Sequence, residues 1–393
     1  MAALVAAIAI PLAAYGGRYT PQPVRADNAV GDVTCLSCHQ DRATFEGTSH
    51  RLTSVAPSRA TIMGSFSAPA NMVRTSNPHL YFRLDSAAGG FYETAVLGAQ
   101  PDTTVRSERI AIVTGTRKGQ SYLYWRGDQL YQLPISYWTG AGWANSPAYP
   151  DGRPNFDRAI PARCLECHAT SFTSIADAVF VNRYQHSGAI LGITCETCHG
   201  AGQEHVRREQ SVLHNLPRSL LSTAILNPAR LPRARQMDGC ALCHSGTAPL
   251  DSKPFAYVPG QPLQKQYAVY DVSSEGQVDV HGNQVALLER SRCFRESNMT
   301  CVTCHDVHRE QRDVVDLSGR CTTCHTVQSC GLYPRHGNAL TGQCVNCHMP
   351  NITSATVVAS DAGERLSVQV RSHWIRVYPR QQEQPHPASL GDK

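Results

Sequence analysis

Cys-x-x-Cys-His occurs seven times in this 393-residue chain and takes fourteen of its sixteen cysteines. In chain order the copies are site 1 (Cys35, Cys38, His39), site 2 (Cys164, Cys167, His168), site 3 (Cys195, Cys198, His199), site 4 (Cys240, Cys243, His244), site 5 (Cys301, Cys304, His305), site 6 (Cys321, Cys324, His325) and site 7 (Cys344, Cys347, His348). Two thiols at this spacing can add across the two vinyl groups of one haem, and the adjacent histidine is then held under the iron as its proximal ligand. Zinc sites built from cysteine pairs would leave the seven histidines unexplained, and seven is an awkward number for sites that pair such units. A redox dithiol would be expected once, beside a strand–helix unit. The motifs therefore predict seven covalently bound haems c, each with an attachment thiol pair and one iron-ligating histidine.

Ligation on the opposite face would need further donors. Ten of the seventeen histidines lie outside the motifs, and neutral imidazole is a favoured iron ligand. His308 follows His305 by three residues and His205 follows His199 by six, separations too short for folding back onto the same haem. Each is expected to reach a neighbouring iron and so tie two haems together. His386 lies in the C-terminal tail and His79 follows Pro78, and both are set aside. Thioether ligands, if used, would come from Met63, Met72, Met237 or Met299. Cys293 and Cys330 flank the site 5 and site 6 motifs and are expected to form a disulfide; a free thiolate is the alternative.

The elements that position these groups divide the chain unevenly. Gln40 to Arg163 contains no motif, whereas six motifs crowd between Cys164 and His348. Arg109 to Val113, Ser121 to Trp125 and Gln129 to Trp138 are rich in β-branched and aromatic residues, and Arg126-Gly127-Asp128 reads as a hairpin turn. A small antiparallel sheet is expected at about 78–140. Beyond Ala162 short helices and loops are expected, because the two thiols and the histidine must fall on one side of each segment, with a longer helix at Arg207 to Leu221. A strand is expected at Leu366 to Tyr378. The expected fold is thus mainly α and loop with little regular structure, plus a small antiparallel β-sheet insertion. The expected segments are 1–17, an apolar signal-like run; 30–77, the first haem site; 78–160, the β-rich insertion; 161–378, a six-haem domain; and 379–393, a disordered tail.

Hydrophobic residues make up 41% of the chain, and 24 prolines and 29 glycines suit loop-rich wrapping of large apolar cofactors. The formal net charge of +5 counts protein groups only. Ionised haem propionates would offset it, so neither nucleic-acid nor membrane binding follows from the charge. Met1 to Ala14 is too short to span a bilayer comfortably and resembles the apolar core of a secretory signal, an uncleaved anchor being the alternative. Covalent haem attachment outside the bacterial cytoplasm agrees with export, so a periplasmic, extracellular or cell-surface location is expected.

Several blocks resemble the exported multihaem cytochromes of the cytochrome c-554 type. They are Thr48-Ser49-His50, Gly119-Gln120-Ser121-Tyr122-Leu123, Leu133-Pro134-Ile135-Ser136-Tyr137, Cys195 to Gly200 with His205, and Cys344 to Pro350; the similarity runs from about Val33 to Val377. The resemblance implies a multihaem cytochrome fold and distal ligation by His50, His205, His281, His308, His336 and His373. One haem is left over, for which His214 and His186 are the nearest candidates. It also implies electron transfer, with redox proteins as partners, more firmly than any substrate. A mostly bis-histidine set implies low to intermediate potentials.

Three functions remain open at this level. The chain is expected to be an electron conduit, closely spaced haems passing electrons without bond chemistry. The alternatives are an oxidoreductase acting on a small nitrogen or sulfur compound at one open haem, and a subunit that self-associates into an extracellular cytochrome filament.

Overall fold

The computed structural model describes residues 21–378 except 88, 100, 176–181, 212–223, 247, 250–252, 269–281 and 362. The signal-like run, most of the helix expected at Arg207 to Leu221, and the C-terminal tail lie outside the described residues. No helix among the described residues is long and apolar enough to cross a membrane.

Strand and helix contribute almost equally, 27% and 28%, in several antiparallel sheets. This corrects the expectation of a mainly α and loop fold with one small sheet insertion. Two physical causes account for the difference. A Cys-x-x-Cys-His motif needs only one helical turn, so most of its helices stay short, as at Ala162–His168, Cys195–His199, Cys301–Cys304 and Cys344–His348, while site 4 ends the 12-residue helix Arg233–His244. The strands, by contrast, extend well beyond the aromatic runs that signal them.

Among the described residues the strands form a four-stranded sheet, a seven-stranded sheet and three two-stranded ribbons. The four-stranded sheet pairs Met72–Arg74, Leu80–Ala87, Gly90–Ala99 and Asp102–Arg109 in sequence order. Leu80–Ala87 buries Leu80, Phe82 and Leu84 on one face, the alternation of a half-buried strand. The seven-stranded sheet centres on Gly119–Arg126, which pairs with Ile112–Thr114, Gln129–Gln132 and Ile135–Trp138. Gly127 and Asp128 make the tight turn into Gln129, with Gly127 at φ 60°. The expected strand from Gln129 to Trp138 is interrupted at Leu133-Pro134, because proline has no N–H to give the ladder. The two sheets enclose one core of Phe82, Leu84, Tyr122, Tyr124, Ile135 and Phe156, each at most 1% exposed.

After the last motif, Asn351–Asp361 and Glu364–Arg371 form a hairpin that ends seven residues short of the strand expected to reach Tyr378. Its Ala359 and Val368 pack on Trp138 and Ala144 of the seven-stranded sheet. The chain therefore closes back on the β-rich region that precedes sites 2 to 7. Two further clusters lie under the motifs. One puts Leu165 of site 2 against Ile112, Leu123 and Leu130 of the sheet, and the other puts Ala241 and Leu242 of site 4 among Leu263, Leu288 and Phe294.

One buried acid stands out in the β core. Glu93 is 0% exposed; Oε1 accepts the Ile135 N–H at 2.9 Å, while Oε2 has no partner. Desolvation raises its pKa well above the ordinary carboxylate value, so it is held protonated over a pH range in which the unfolded chain ionises. A raised folded-state pKa gives stability that is full below the unfolded pKa and is lost as pH rises towards the folded one. Glu93→Gln should therefore raise the melting temperature relative to the natural chain at pH 8, by roughly 2–4 °C for each kcal/mol recovered. The gap should close as pH falls towards the ordinary carboxylate range. Melting curves from pH 4 to 8 check this; a gap independent of pH would contradict it.

Candidate haem-attachment and ligand sites

Each motif folds as a single tight turn. The amides of His39, His305 and His325 donate to the carbonyls of Cys35, Cys301 and Cys321 at 3.0, 2.9 and 2.9 Å, so the motif's first thiol and its histidine sit one helical turn apart. Thr300 and Thr303 form a reciprocal capping box at the start of the site 5 helix. No two of the sixteen cysteines are joined in a disulfide.

The folded chain places four motif histidines opposite a histidine from another segment. His39 faces His205 at a ring-centroid separation of 6.4 Å, His199 faces His308 at 6.2 Å, His244 faces His50 at 6.1 Å, and His305 faces His373 at 6.1 Å. A metal–imidazole bond of about 2 Å, with the ring centroid about 1.1 Å farther back, puts two rings on opposite sides of one ion about 6.2 Å apart. The residues present therefore fit a metal ligated on both faces at sites 1, 3, 4 and 5. His205 and His308 face the histidines of sites 1 and 3 and not those of their own motifs. In three pairs the ring planes are near parallel, at 21° to 34°, and in His50 and His244 they are near perpendicular at 82°.

The chemical state of these rings agrees with ligation. Burial pushes His50, His199, His305 and His308 below the ordinary histidine range and His373 to about 4, favouring the neutral, ligating form. His199 Nδ1 donates to the Leu226 carbonyl at 2.8 Å and His348 Nδ1 to that of Arg376 at 2.9 Å. A carbonyl only accepts, so these bonds fix the proton on Nδ1 and leave the Nε2 lone pair for iron. His168 Nδ1 lies 3.0 Å from the Thr53 hydroxyl.

The remaining sequence candidates fall elsewhere. No ring contact involves His325, His336 or His348 among the described residues. His214, His281 and His386 lie outside those residues. His186 stacks on Trp125 at 4.1 Å and its Nε2 contacts the Gly127 carbonyl at 2.7 Å, which occupies it at the hairpin turn. The disulfide expected between Cys293 and Cys330 is corrected: both are free thiols, and the short helix Arg292–Arg295 brings Cys293 into electrostatic reach of Cys304 and Cys321 instead. The Met237 sulfur lies 3.9 Å from that of Cys301, in the core and not opposite a motif histidine.

Thiols of different motifs also meet. Cys35 hydrogen-bonds to Cys195, Cys167 to Cys243, and Cys240 to Cys301, and each bond lowers the pKa of the first thiol. Cys321 is close to Cys344 and to Cys304, and Cys198 is close to Cys240 and Cys243. Motif thiols therefore adjoin between sites 1 and 3, 2 and 4, 3 and 4, 4 and 5, 5 and 6, and 6 and 7. Site 1, far from the others in sequence, is in contact with site 3 in space.

Polar groups that hold this arrangement are the ones sequence reasoning missed. Glu310 accepts from the amide and hydroxyl of Ser49 at 2.9 and 3.1 Å, fixing the loop that carries His50, and lies two residues beyond His308. Arg51, next to His50, pairs with Asp32 at 2.6 Å at the start of the site 1 helix. Glu166, 5% exposed within the site 2 motif, accepts from Phe255 N–H and the Tyr267 hydroxyl, both at 2.7 Å. A signal for the last was present: Glu166 and Glu196 are the acidic residues found inside the seven motifs.

Residues 146–200, which include sites 2 and 3, match the family described as Cytochrome c554 and c-prime. The C-type polyheme cytochrome OmcC of Geobacter sulfurreducens is 25% identical over 232 residues, covering 50% of this chain and 27% of that protein. Together they support a multihaem c-type cytochrome. The chain spans only about a quarter of that relative's length. No solved structure matches this multihaem chain.

Replacing His308 with Met should leave every covalent attachment intact, because its own thiol pair is elsewhere, while changing one haem. A histidine–methionine pair holds a higher potential than a bis-histidine pair. Potentiometric titration should show one centre moved upward in this variant, and an unchanged titration would contradict the pairing of His308 with His199.

Proposed function

We propose that the chain is an exported electron-transfer protein carrying seven covalent haems c. The observation that carries this reading is the set of four facing imidazole pairs at 6.1 to 6.4 Å, each joining a motif histidine to a histidine from a different segment. When bound, haem supplies a reversible one-electron centre at each site. The chain's own residues attach it, orient it and set its environment. The fourteen motif cysteines hold the cofactor edges, His39, His168, His199, His244, His305, His325 and His348 ligate from one side, and His205, His308, His50 and His373 ligate sites 1, 3, 4 and 5 from the other. His336, His281 and His214 are the proposed donors for the remaining sites.

Contacts between thiols of neighbouring motifs support a continuous order of sites 1, 3, 4, 5, 6 and 7, with site 2 joined at site 4. Such an order needs no large motion for electrons to pass along the chain. Two-sided ligation leaves sites 1, 3, 4 and 5 no face for a substrate, which favours electron transfer over substrate chemistry at those positions. Redox proteins are the proposed partners, and a periplasmic or cell-surface location follows from the covalent attachment of haem.

The reading is tested first by intact mass, which should exceed that of the mature polypeptide by seven haems. Stopped-flow mixing of the fully reduced protein with nitrite, hydroxylamine, tetrathionate and nitric oxide should then give slow, non-saturating reoxidation. Fast saturable turnover of any one of them would contradict an electron-transfer role.

A further inference from the structure

We propose that Glu196, inside the motif of site 3, is the positioning residue that sets the axial geometry of site 1. This rests on the haem-binding reading of both sites. Glu196 is 1% exposed. Its Oε1 accepts from the amides of Gly202 at 2.7 Å and Val30 at 3.0 Å, and Oε2 accepts from Gly31 at 3.1 Å and also from Val30 at 3.2 Å. Three backbone donors on one carboxylate form a set of charge-assisted bonds, and losing an acceptor would strand buried N–H groups.

What matters is where those donors lie. Val30 and Gly31 lead directly into the helix Asp32–Cys38, which carries both thiols of site 1 and delivers His39. Gly202 is the residue that starts the helix Gln203–Glu209, which carries His205. One carboxylate therefore ties down the entry to each of the two segments whose imidazoles face each other at 6.4 Å. Both segments present N–H groups at a helix start, where negative charge is favoured. Asp32 returns the contact: its Oδ1 accepts the Cys195 N–H at 2.9 Å, at the start of the site 3 motif helix. The Cys35 and Cys195 thiols meet between these two clamps.

The clamp can be disturbed without touching the carboxylate. A Cβ on Gly202 would lie 2.8 Å from Val30 Cγ2 and 3.1 Å from Glu196 Oε1, so Gly202→Ala must displace the Val30 side chain and crowd the carboxylate against its donors. Glu196→Gln keeps the shape but turns an amide NH2 towards backbone N–H groups that need an acceptor. Glu166→Gln is the matched control: a carboxylate within another motif, 5% exposed, whose partners Phe255 and Tyr267 belong to the surroundings of site 2.

The experiment compares the full-length holoprotein with E196Q, G202A, E166Q and His205→Met by intact mass, peptide mapping of the attached haems, electron paramagnetic resonance of the ferric state and potentiometric titration. In E196Q and G202A all haems should remain attached. About one haem equivalent should move from low to high spin or shift its potential, and it should be the centre that His205→Met alters, while E166Q leaves that centre unchanged. Natural spectra and potentials in both E196Q and G202A would overturn the proposal. Loss of haem from sites 1 and 3 together would also overturn it, replacing a positioning role with general support of the fold. Absence of covalent haem at site 1 or 3 in the natural protein would instead defeat the haem-binding reading on which the proposal stands.

Discussion

Two imidazoles ligating one haem iron would have to approach it from opposite sides, and in each of the four facing pairs among the described residues the two come from different segments. That requirement organises the rest of the molecule. His39 at the N-terminal end is matched by His205, His244 by His50, His199 by His308, and His305 by His373 near the C-terminus. Each pair is a long-range contact, made mostly by short helices and loops; the packed helix Arg233–His244, which carries the site 4 motif, is the longer exception. Their positions must be held by something other than extended secondary structure.

Two devices supply that. The β-rich region forms a conventional packed core, with Phe82, Leu84, Tyr122 and Ile135 between two sheets, and it gives the loop around His50 and the site 2 motif a rigid surface to rest on. The C-terminal hairpin closes onto the same region through Ala359 and Val368, which anchors the segment leading to His373. Around the motifs themselves the holding groups are buried or half-buried carboxylates. Asp32, Glu166, Glu196 and Glu310 each bind backbone or hydroxyl donors from a segment remote in sequence. A carboxylate reaching several N–H groups replaces the hydrogen bonds that regular structure would have provided. Among the described residues the apolar clusters near sites 4 and 5 are small, built around Met237, Leu263 and Phe294, in keeping with a region whose core is shared with large cofactors.

The Cys-x-x-Cys-His motifs were legible in the sequence because they are local: five residues place two thiols and a histidine on one turn. The hairpin at Gly127-Asp128 was legible for the same reason. The balance of strand and helix was not. The sheet expected at about 78–140 covers Leu80–Ala87 and Gly90–Ala99, but the hairpin after site 7 carries Glu364, Arg365, Ser367 and Gln369 on its exposed face, and the two-residue strands elsewhere are too short to show alternation. Pairing of histidines was legible only in part. The short separations of His205 and His308 from their own motifs pointed each elsewhere, but which motif histidine each faces depends on tertiary contacts such as Glu196 to Gly202. The disulfide expected at Cys293 failed because proximity along the chain to sites 5 and 6 said nothing of direction, and the helix carrying Cys293 faces those motifs instead of Cys330.

The most direct measurement of the account is the position of iron in crystals of the matured protein, located by anomalous diffraction at the iron edge. The account predicts seven iron atoms. One should lie midway between the rings of each of the pairs His39 and His205, His199 and His308, His50 and His244, and His305 and His373. A missing iron at any of these four midpoints, or a zinc edge in place of iron, would contradict it.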